Sequence, residues 1–340
     1  MEKPSDRLGK MAVSDRRSVI GGLLGSAVAT TLLTDSAARA QQQWPSTTLK
    51  LVVPYTPGGA ADTLARMAQD GVGNSLGHPI IVENKPGGSG IPGTDAVIRS
   101  ADGHTFGLIV SVHASSVALK MAVPYDPIAD IAPLTMLGRV PLVLVVHPSV
   151  KATTVPELFQ EVKASGKKTF AATSGAGTAG HFAVELLNLE AGIKIEPVHY
   201  KGAAPAVQDL IGGQVQMQFA TISSVWPHVE AGKLRALAVS TANRTTLRPE
   251  IPTVKEQTKI DGFDFAEWYG LIAPPKMAAD HIGKLRAALV KAIDSKTFQD
   301  KARLLGIEAK SSSSDEMRQI IKDDIERLTA LVQRANIKLE

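Results

Sequence analysis

Two glycine-rich segments carry the residues best suited to holding a ligand. The first is Pro54-Tyr55-Thr56-Pro57-Gly58-Gly59-Ala60-Ala61-Asp62. It follows an apolar β-type run, Leu49 to Val53, and opens a stretch of helical periodicity, Asp62 to Leu76. The second is Thr173-Ser174-Gly175-Ala176-Gly177-Thr178-Ala179-Gly180-His181, again between a β-type run and a helical stretch. Glycine lets backbone N–H groups come close to a ligand. A helix start adds unpaired N–H donors and partial positive charge, so an anion is favoured there. The first segment therefore offers Tyr55, Thr56, Gly58, Gly59, Ala60 and Asp62 as contacts, with Asp62 doubling as a first-turn or capping acid. The second offers Ser174, Gly175, Gly177, Thr178 and His181, and it contains no Lys or Arg. A ligand bound at this second segment would be held by neutral dipoles, which are cheaper to desolvate than full charges.

Two rival chemistries fit the same residues less well. Gly175, Gly177 and Gly180 spell G-x-G-x-x-G, and Glu196 ends the next β-type run about twenty residues on, the spacing of a dinucleotide fingerprint. That reading makes the chain an exported NAD(P)-dependent oxidoreductase. Against it, the motif sits in mid-chain and Pro197 restricts the backbone of Glu196. Ser174 and His181 could form a nucleophile and base, but no acid is placed to orient the imidazole. There is no G-x-S-x-G elbow, no H-E-x-x-H, and no histidine spacing suited to a metal. Neither an enzyme nor a cofactor is expected. Weaker candidates end other β-type runs: Ser111 with His113, Tyr200 before Lys201-Gly202, and Thr221 with Ser223 and Ser224.

Positioning these loops requires strands that alternate with helices. β-type runs fall at 80–82, 106–112, 142–147, 168–172, 194–200, 215–220, 234–240 and 270–273, and helical stretches at 155–164, 181–191, 280–295 and 314–338. This alternation predicts an α/β fold with mostly parallel sheets. In such sheets ligands sit beyond the carboxyl ends of the strands.

The first forty residues read as an address. Arg16-Arg17 precede a moderately apolar run, Val19 to Leu33, which ends at Ala38-Arg39-Ala40. Basic region, short apolar region and small-x-small site describe a secretory signal cleaved after Ala40, and the paired arginines mark the twin-arginine type. The apolar run is shorter than the roughly 20 residues that a spanning helix needs. The remaining 300 residues are enough for two lobes. Removing six of 37 basic and four of 33 acidic residues leaves a formal charge of about +2. Fifteen aromatic residues in 340, and no basic cluster, argue against a nucleic-acid groove. No cysteine is present, so disulfides, thiolate metal sites and a lipidated N-terminal cysteine are excluded.

Several ordered segments together carry a family resemblance. They include Val53-Pro54-Tyr55-Thr56-Pro57-Gly58-Gly59 with Asp62, Val82-Glu83-Asn84-Lys85-Pro86-Gly87, and Tyr125-Asp126-Pro127. Further on come Ser174-Gly175-Ala176-Gly177-Thr178 with His181, Tyr200-Lys201-Gly202-Ala203-Ala204-Pro205-Ala206, Leu210-Ile211-Gly212-Gly213-Gln214-Val215 and Ala231-Gly232-Lys233-Leu234-Arg235. From Leu49 to Val332 the chain resembles the Bug family, the TctC-type substrate-binding proteins of tripartite tricarboxylate transporters. The resemblance implies a type II periplasmic-binding-protein-like α/β fold with a hinged cleft between two lobes. Lobe one would be 45–147 with 267–340, and lobe two 148–266. It implies a small organic acid as ligand, its carboxylate gripped by both loops through amides, hydroxyls and water. It also implies membrane permease subunits as partners, a periplasmic location and a monomer. The family usually places an acid near Ala220-Thr221; its loss here argues against an amino-acid ligand and leaves a di- or tricarboxylate or an aromatic acid. Lys85 in place of the usual Arg, and Ala171-Ala172-Thr173 before Ser174, are further departures.

Overall fold

Strand–helix alternation runs the length of the computed structural model, which describes residues 44–338. The proposed signal and its cleavage after Ala40 lie outside the described residues. The order is β1 (Leu49–Val53), α1 (Ala60–Leu76), β2 (Ile80–Asn84), a 3-10 turn (Gly88–Gly90), α2 (Ile91–Ile98), β3 (Thr105–Val110) and α3 (Val112–Ala118). Next come β4 (Ala132–Val146), α4 (Val155–Ala164), β5 (Thr169–Thr173), α5 (Ala179–Ala191), β6 (Ile195–His199), α6 (Ala203–Ile211), β7 (Met217–Thr221) and α7 (Ile222–Glu230). The chain ends with β8 (Arg235–Val239), α8 (Val254–Thr258), β9 (Ala266–Ala273), α9 (Ala279–Ile293), α10 (Lys296–Leu304) and α11 (Ser314–Ala335).

The strands form one curled sheet in the order β2-β1-β3-β9-β4-β7-β5-β6, with β8 also paired to β4. Strand β4 joins its two halves. Residues from Ala132 to Pro141 pair with β9, while Leu142 to Val146 pair with β7 and β8. The expectation of a mostly parallel sheet is corrected here. Among the described residues, β1–β2, β1–β3, β5–β6 and β5–β7 are parallel, but β3–β9, β4–β7, β4–β8 and β4–β9 are antiparallel. The reversals all involve β4 or β9, the strands that run through the middle of the sheet.

Successive residues of β4 serve two cores because strand side chains alternate between faces. Leu142, Leu144 and Val146 enter a cluster with Phe182, Phe219, Trp268 and Met317. Val143 and Val145 enter a second cluster with Ala172, Leu210 and Val225 under α6 and α7. Burial on both faces explains the unbroken apolar run, since neither side meets water. In the first core, α11 contributes Met317, Ile321, Leu328 and Leu331. Its start is fixed by a capping box in which Ser313 and Glu316 each satisfy the other's backbone N–H.

Candidate ligand-binding cleft

The carboxyl ends of β1, β3 and β5 open toward one cleft of about 280 Å³. Tyr55, Thr56, Gly59, Ala60 and Ala61 line it after β1, and Val110 at the end of β3 with Ser111 and Val112 after it. Thr178 and Ala179 contribute from the start of α5, and Glu267 and Tyr269 from β9. Both glycine-rich loops therefore reach the same space. Of the residues singled out by sequence, Tyr55, Thr56, Gly59, Ala60, Ser111 and Thr178 meet here. Gly58, Asp62, Ser174, Gly175, Gly177, His181, Tyr200 and Thr221 do not line this cavity, and their contacts explain why.

Asp62 holds the first loop from behind. It is buried, and its Oδ2 accepts from the Gly58 N–H and from Arg66 Nε, each at 2.9 Å. Its Oδ1 accepts from Asn84 Nδ2 at 2.9 Å, and that amide also reaches the Tyr55 carbonyl. The hydrogen bond from Arg66 is the main reason that the Asp62 carboxyl falls from 3.8 to about 2; it outweighs the opposing effect of burial, with help from Gly58 and Asn84. Gly58 takes a left-handed φ of 82° that a side chain would resist. The loop so fixed delivers Gly59 at the N-cap of α1, and no side chain caps that helix. Its first N–H groups, which have no partner within a helix, begin at the cleft wall.

The second loop is braced in a parallel way. The Gly177 N–H donates to His181 Nδ1 at 3.1 Å. The His181 ring is buried, packs edge-on to His199 and lies 3.6 Å from Glu185. Gly177 has φ 76°, and a Cβ there would stand 2.8 Å from Leu119 Cδ1, just beyond α3. Thr178 occupies the N-cap of α5, yet its hydroxyl donates to the Gly175 carbonyl at 2.8 Å instead of capping the helix. A second helix start is thus left without a side-chain cap at the same cleft.

The remaining candidates are tied elsewhere. Tyr200 donates its hydroxyl to Asp209 Oδ2 at 2.7 Å, and burial together with that carboxylate pushes its phenol up to about 12. Thr221 precedes α7 and exchanges hydrogen bonds with Ser224. His113 is buried, reaches the Pro127 carbonyl through Nε2 and stacks on Tyr125.

The rival readings fail on geometry. Glu196 does not end β6; it is the second residue, paired with Phe170 near the start of β5. The glycine loop follows Thr173, three residues further along, which at about 3.3 Å per residue puts it roughly 10 Å away. The Glu196 carboxylate instead pairs with Lys168 at 3.1 Å. Gly180 has a packing reason: a Cβ would lie 2.8 Å from the Phe219 carbonyl, so glycine lets α5 rest on β7. His181 cannot serve Ser174 through Nδ1, because the Gly177 amide occupies it.

Sequence reasoning missed Glu267 and Tyr269. Both precede the run 270–273, and alternation along β9 sends them to one face while Trp268 turns to Asp324 on the other. The Tyr269 hydroxyl donates to Glu267 Oε2 at 3.1 Å. Burial raises the Glu267 carboxyl and the Tyr55 and Tyr269 phenols above their ordinary values. No Lys, Arg or His lines the cleft. Its donors are backbone amides and hydroxyls.

Comparison with known proteins places this geometry in a family. Residues 64–337 match the tripartite tricarboxylate transporter family receptor. The protein BugT of Bordetella pertussis is 33% identical over 300 residues, covering 87% of this chain and 92% of that protein. A Rhodopseudomonas palustris protein solved with adipate superposes with a TM-score of 0.75 at 30% identity, over 87% of this chain and 99% of that one. The periplasmic binding protein BugD superposes at 0.72 and 26% identity, over 87% of this chain and 100% of its own. This chain belongs to the tripartite tricarboxylate transporter receptor family, a family of periplasmic solute-binding proteins and not of enzymes.

Proposed function

We propose that this protein captures a small carboxylated organic solute in the cleft and presents it to the membrane subunits of a tripartite tricarboxylate-type transporter. One observation carries the reading: two helices without side-chain caps, α1 and α5, start at a single cavity of about 280 Å³ whose lining has no basic side chain. Converging helix N-termini favour an anion, and backbone amides suit a carboxylate. The adipate in the Rhodopseudomonas palustris relative is a ligand of this chemistry.

Release and capture would follow from closure of two lobes, 45–147 with 267–340 and 148–266. The change of partners on β4 between Pro141 and Leu142, and the start of β9 at Ala266, support crossings near those limits. Closure must favour the ligand-bound state, or the ligand could not shift the population. The twin-arginine signal over residues 1–40, export to the periplasm and a monomeric state belong to the same proposal.

A thermal-shift screen of residues 41–340 against organic acids, with NAD and NADP included, tests it. A ligand at 100 times its dissociation constant adds about 2.7 kcal/mol of stability. Stabilisation by carboxylates and none by nucleotides supports the proposal. Stabilisation by NAD or NADP alone would overturn it.

A further inference from the structure

The cleft contains an acid where an anion is to be bound. Glu267 lines the same cavity as the starts of α1 and α5. Among the described residues its one side-chain partner is the Tyr269 hydroxyl, a neutral group. No basic side chain lines the cavity to balance it. Two carboxylates confined to about 280 Å³ repel each other, so an ionised Glu267 would work against the ligand's own carboxylate. A positive group carried by the ligand would relieve that repulsion. The surroundings point the same way: burial disfavours the charged form of Glu267 in the empty cleft, and a cation arriving beside it removes that penalty.

We infer that Glu267 is a specificity-determining residue that selects carboxylates bearing an ammonium group, with the ligand carboxylate at the starts of α1 and α5 and its ammonium at the Glu267 side chain. This inference rests on the carboxylate-binding reading above and narrows it. It departs from the expectation drawn from Ala220-Thr221, because the acid is supplied from β9, by a residue two positions before Tyr269. Tyr269 acts as a positioning residue: its hydroxyl fixes one oxygen of Glu267 and leaves the other to the ligand.

The test uses matched acids that share a skeleton and differ in one substituent: succinate, malate and aspartate; adipate, 2-hydroxyadipate and 2-aminoadipate; phenylpropionate, phenyllactate and phenylalanine. Affinities of the purified protein are measured by calorimetric titration. In the set that binds, the amino acid should exceed its unsubstituted partner roughly tenfold or more, the scale of a desolvated charge pair. Glu267→Gln, nearly isosteric, should abolish that preference while the unsubstituted acid binds as well or better. Tyr269→Phe should reduce the preference without reversing it. A wild-type preference for the unsubstituted or hydroxylated acid overturns the inference even if the variants fail to fold, and leaves the carboxylate reading intact. An amino preference that survives in folded Glu267→Gln also overturns it. If no acid of any set binds, the carboxylate reading itself fails.

Discussion

Every helix start at the cleft lacks a side-chain cap, a property shared with α2, α6, α7 and α9, whereas four other helices are capped. Thr154, Thr253, Ser295 and Ser313 cap α4, α8, α10 and α11 by accepting a backbone N–H. At the cleft, α1, α3 and α5 begin at Gly59, Ser111 and Thr178, and none has a side-chain cap. Thr178 makes the contrast sharpest. It is a residue type that caps well, in the extended conformation that a cap needs, but its hydroxyl serves the Gly175 carbonyl. Capping satisfies donors within the fold and contributes stability; under the proposed function, the donors left open at the cavity are the ones a ligand would meet. Asp62 and His181 show how the chain reconciles the two. Each accepts an amide from its own glycine loop, Gly58 or Gly177, and so stiffens the loop without closing the helix start.

Substitutions should separate these roles. The largest effect is expected at Gly177→Val, where a left-handed φ of 76° and a contact 2.8 Å from Leu119 Cδ1 combine. It should destabilise by about 2–3 kcal/mol and reduce ligand affinity beyond detection, read by urea unfolding and titration. Unchanged affinity would break the comparison.

Asp62→Ala should come next. It frees the Gly58 amide, Arg66 and Asn84, with a loss of about 2 kcal/mol and weaker binding. Because the Asp62 carboxyl is depressed from 3.8 to about 2 in the fold, its contribution is complete above the ordinary value and disappears as pH falls through about 2. Wild-type stability should therefore fall more steeply than the variant's below pH 4; parallel curves would refute the bracing role.

Gly59→Val sharpens the contrast between glycines. Gly59 has φ −76°, and a Cβ there meets nothing closer than 3.6 Å. Stability should stay within about 0.5 kcal/mol, yet affinity should drop because the side chain enters the cleft. Thr253→Ala should have the smallest effect on binding. Loss of its capping box should cost about 1 kcal/mol and leave affinity unchanged. A binding defect in this variant would mean that caps and cleft are not independent.

Much of this was legible in the sequence, for reasons that differ by element. Apolar runs bounded by loops marked β1, β5 and β7 to within two residues, and the glycine pairs marked both cleft loops. The first half of β4 was hidden: Pro133, Gly138 and Pro141 interrupt it, and its register shifts twice against β9. Short helices such as α2, α6 and α7 were also missed, since nine or fewer residues give periodicity little to work with. Glu267 was invisible because it belongs to no loop motif. A strand residue more than 200 positions downstream of the first glycine-rich loop enters the cleft only through the pairing of β9 with β3 and β4. Asp62 and His181 lie in the same short motifs as the open amides because a side chain that braces a loop by accepting one of its N–H groups is close to it in sequence.

The most direct test of the central claim is to follow backbone amide resonances of the ¹⁵N-labelled protein during titration with the carboxylate that stabilises it most. The account predicts the largest shifts at Gly59, Ala60, Ala61, Thr178 and Ala179, with the amides of α8 and α11 unmoved. Shifts concentrated instead at the groove beside Arg139, Glu308 and Glu316, with the starts of α1 and α5 silent, would contradict it.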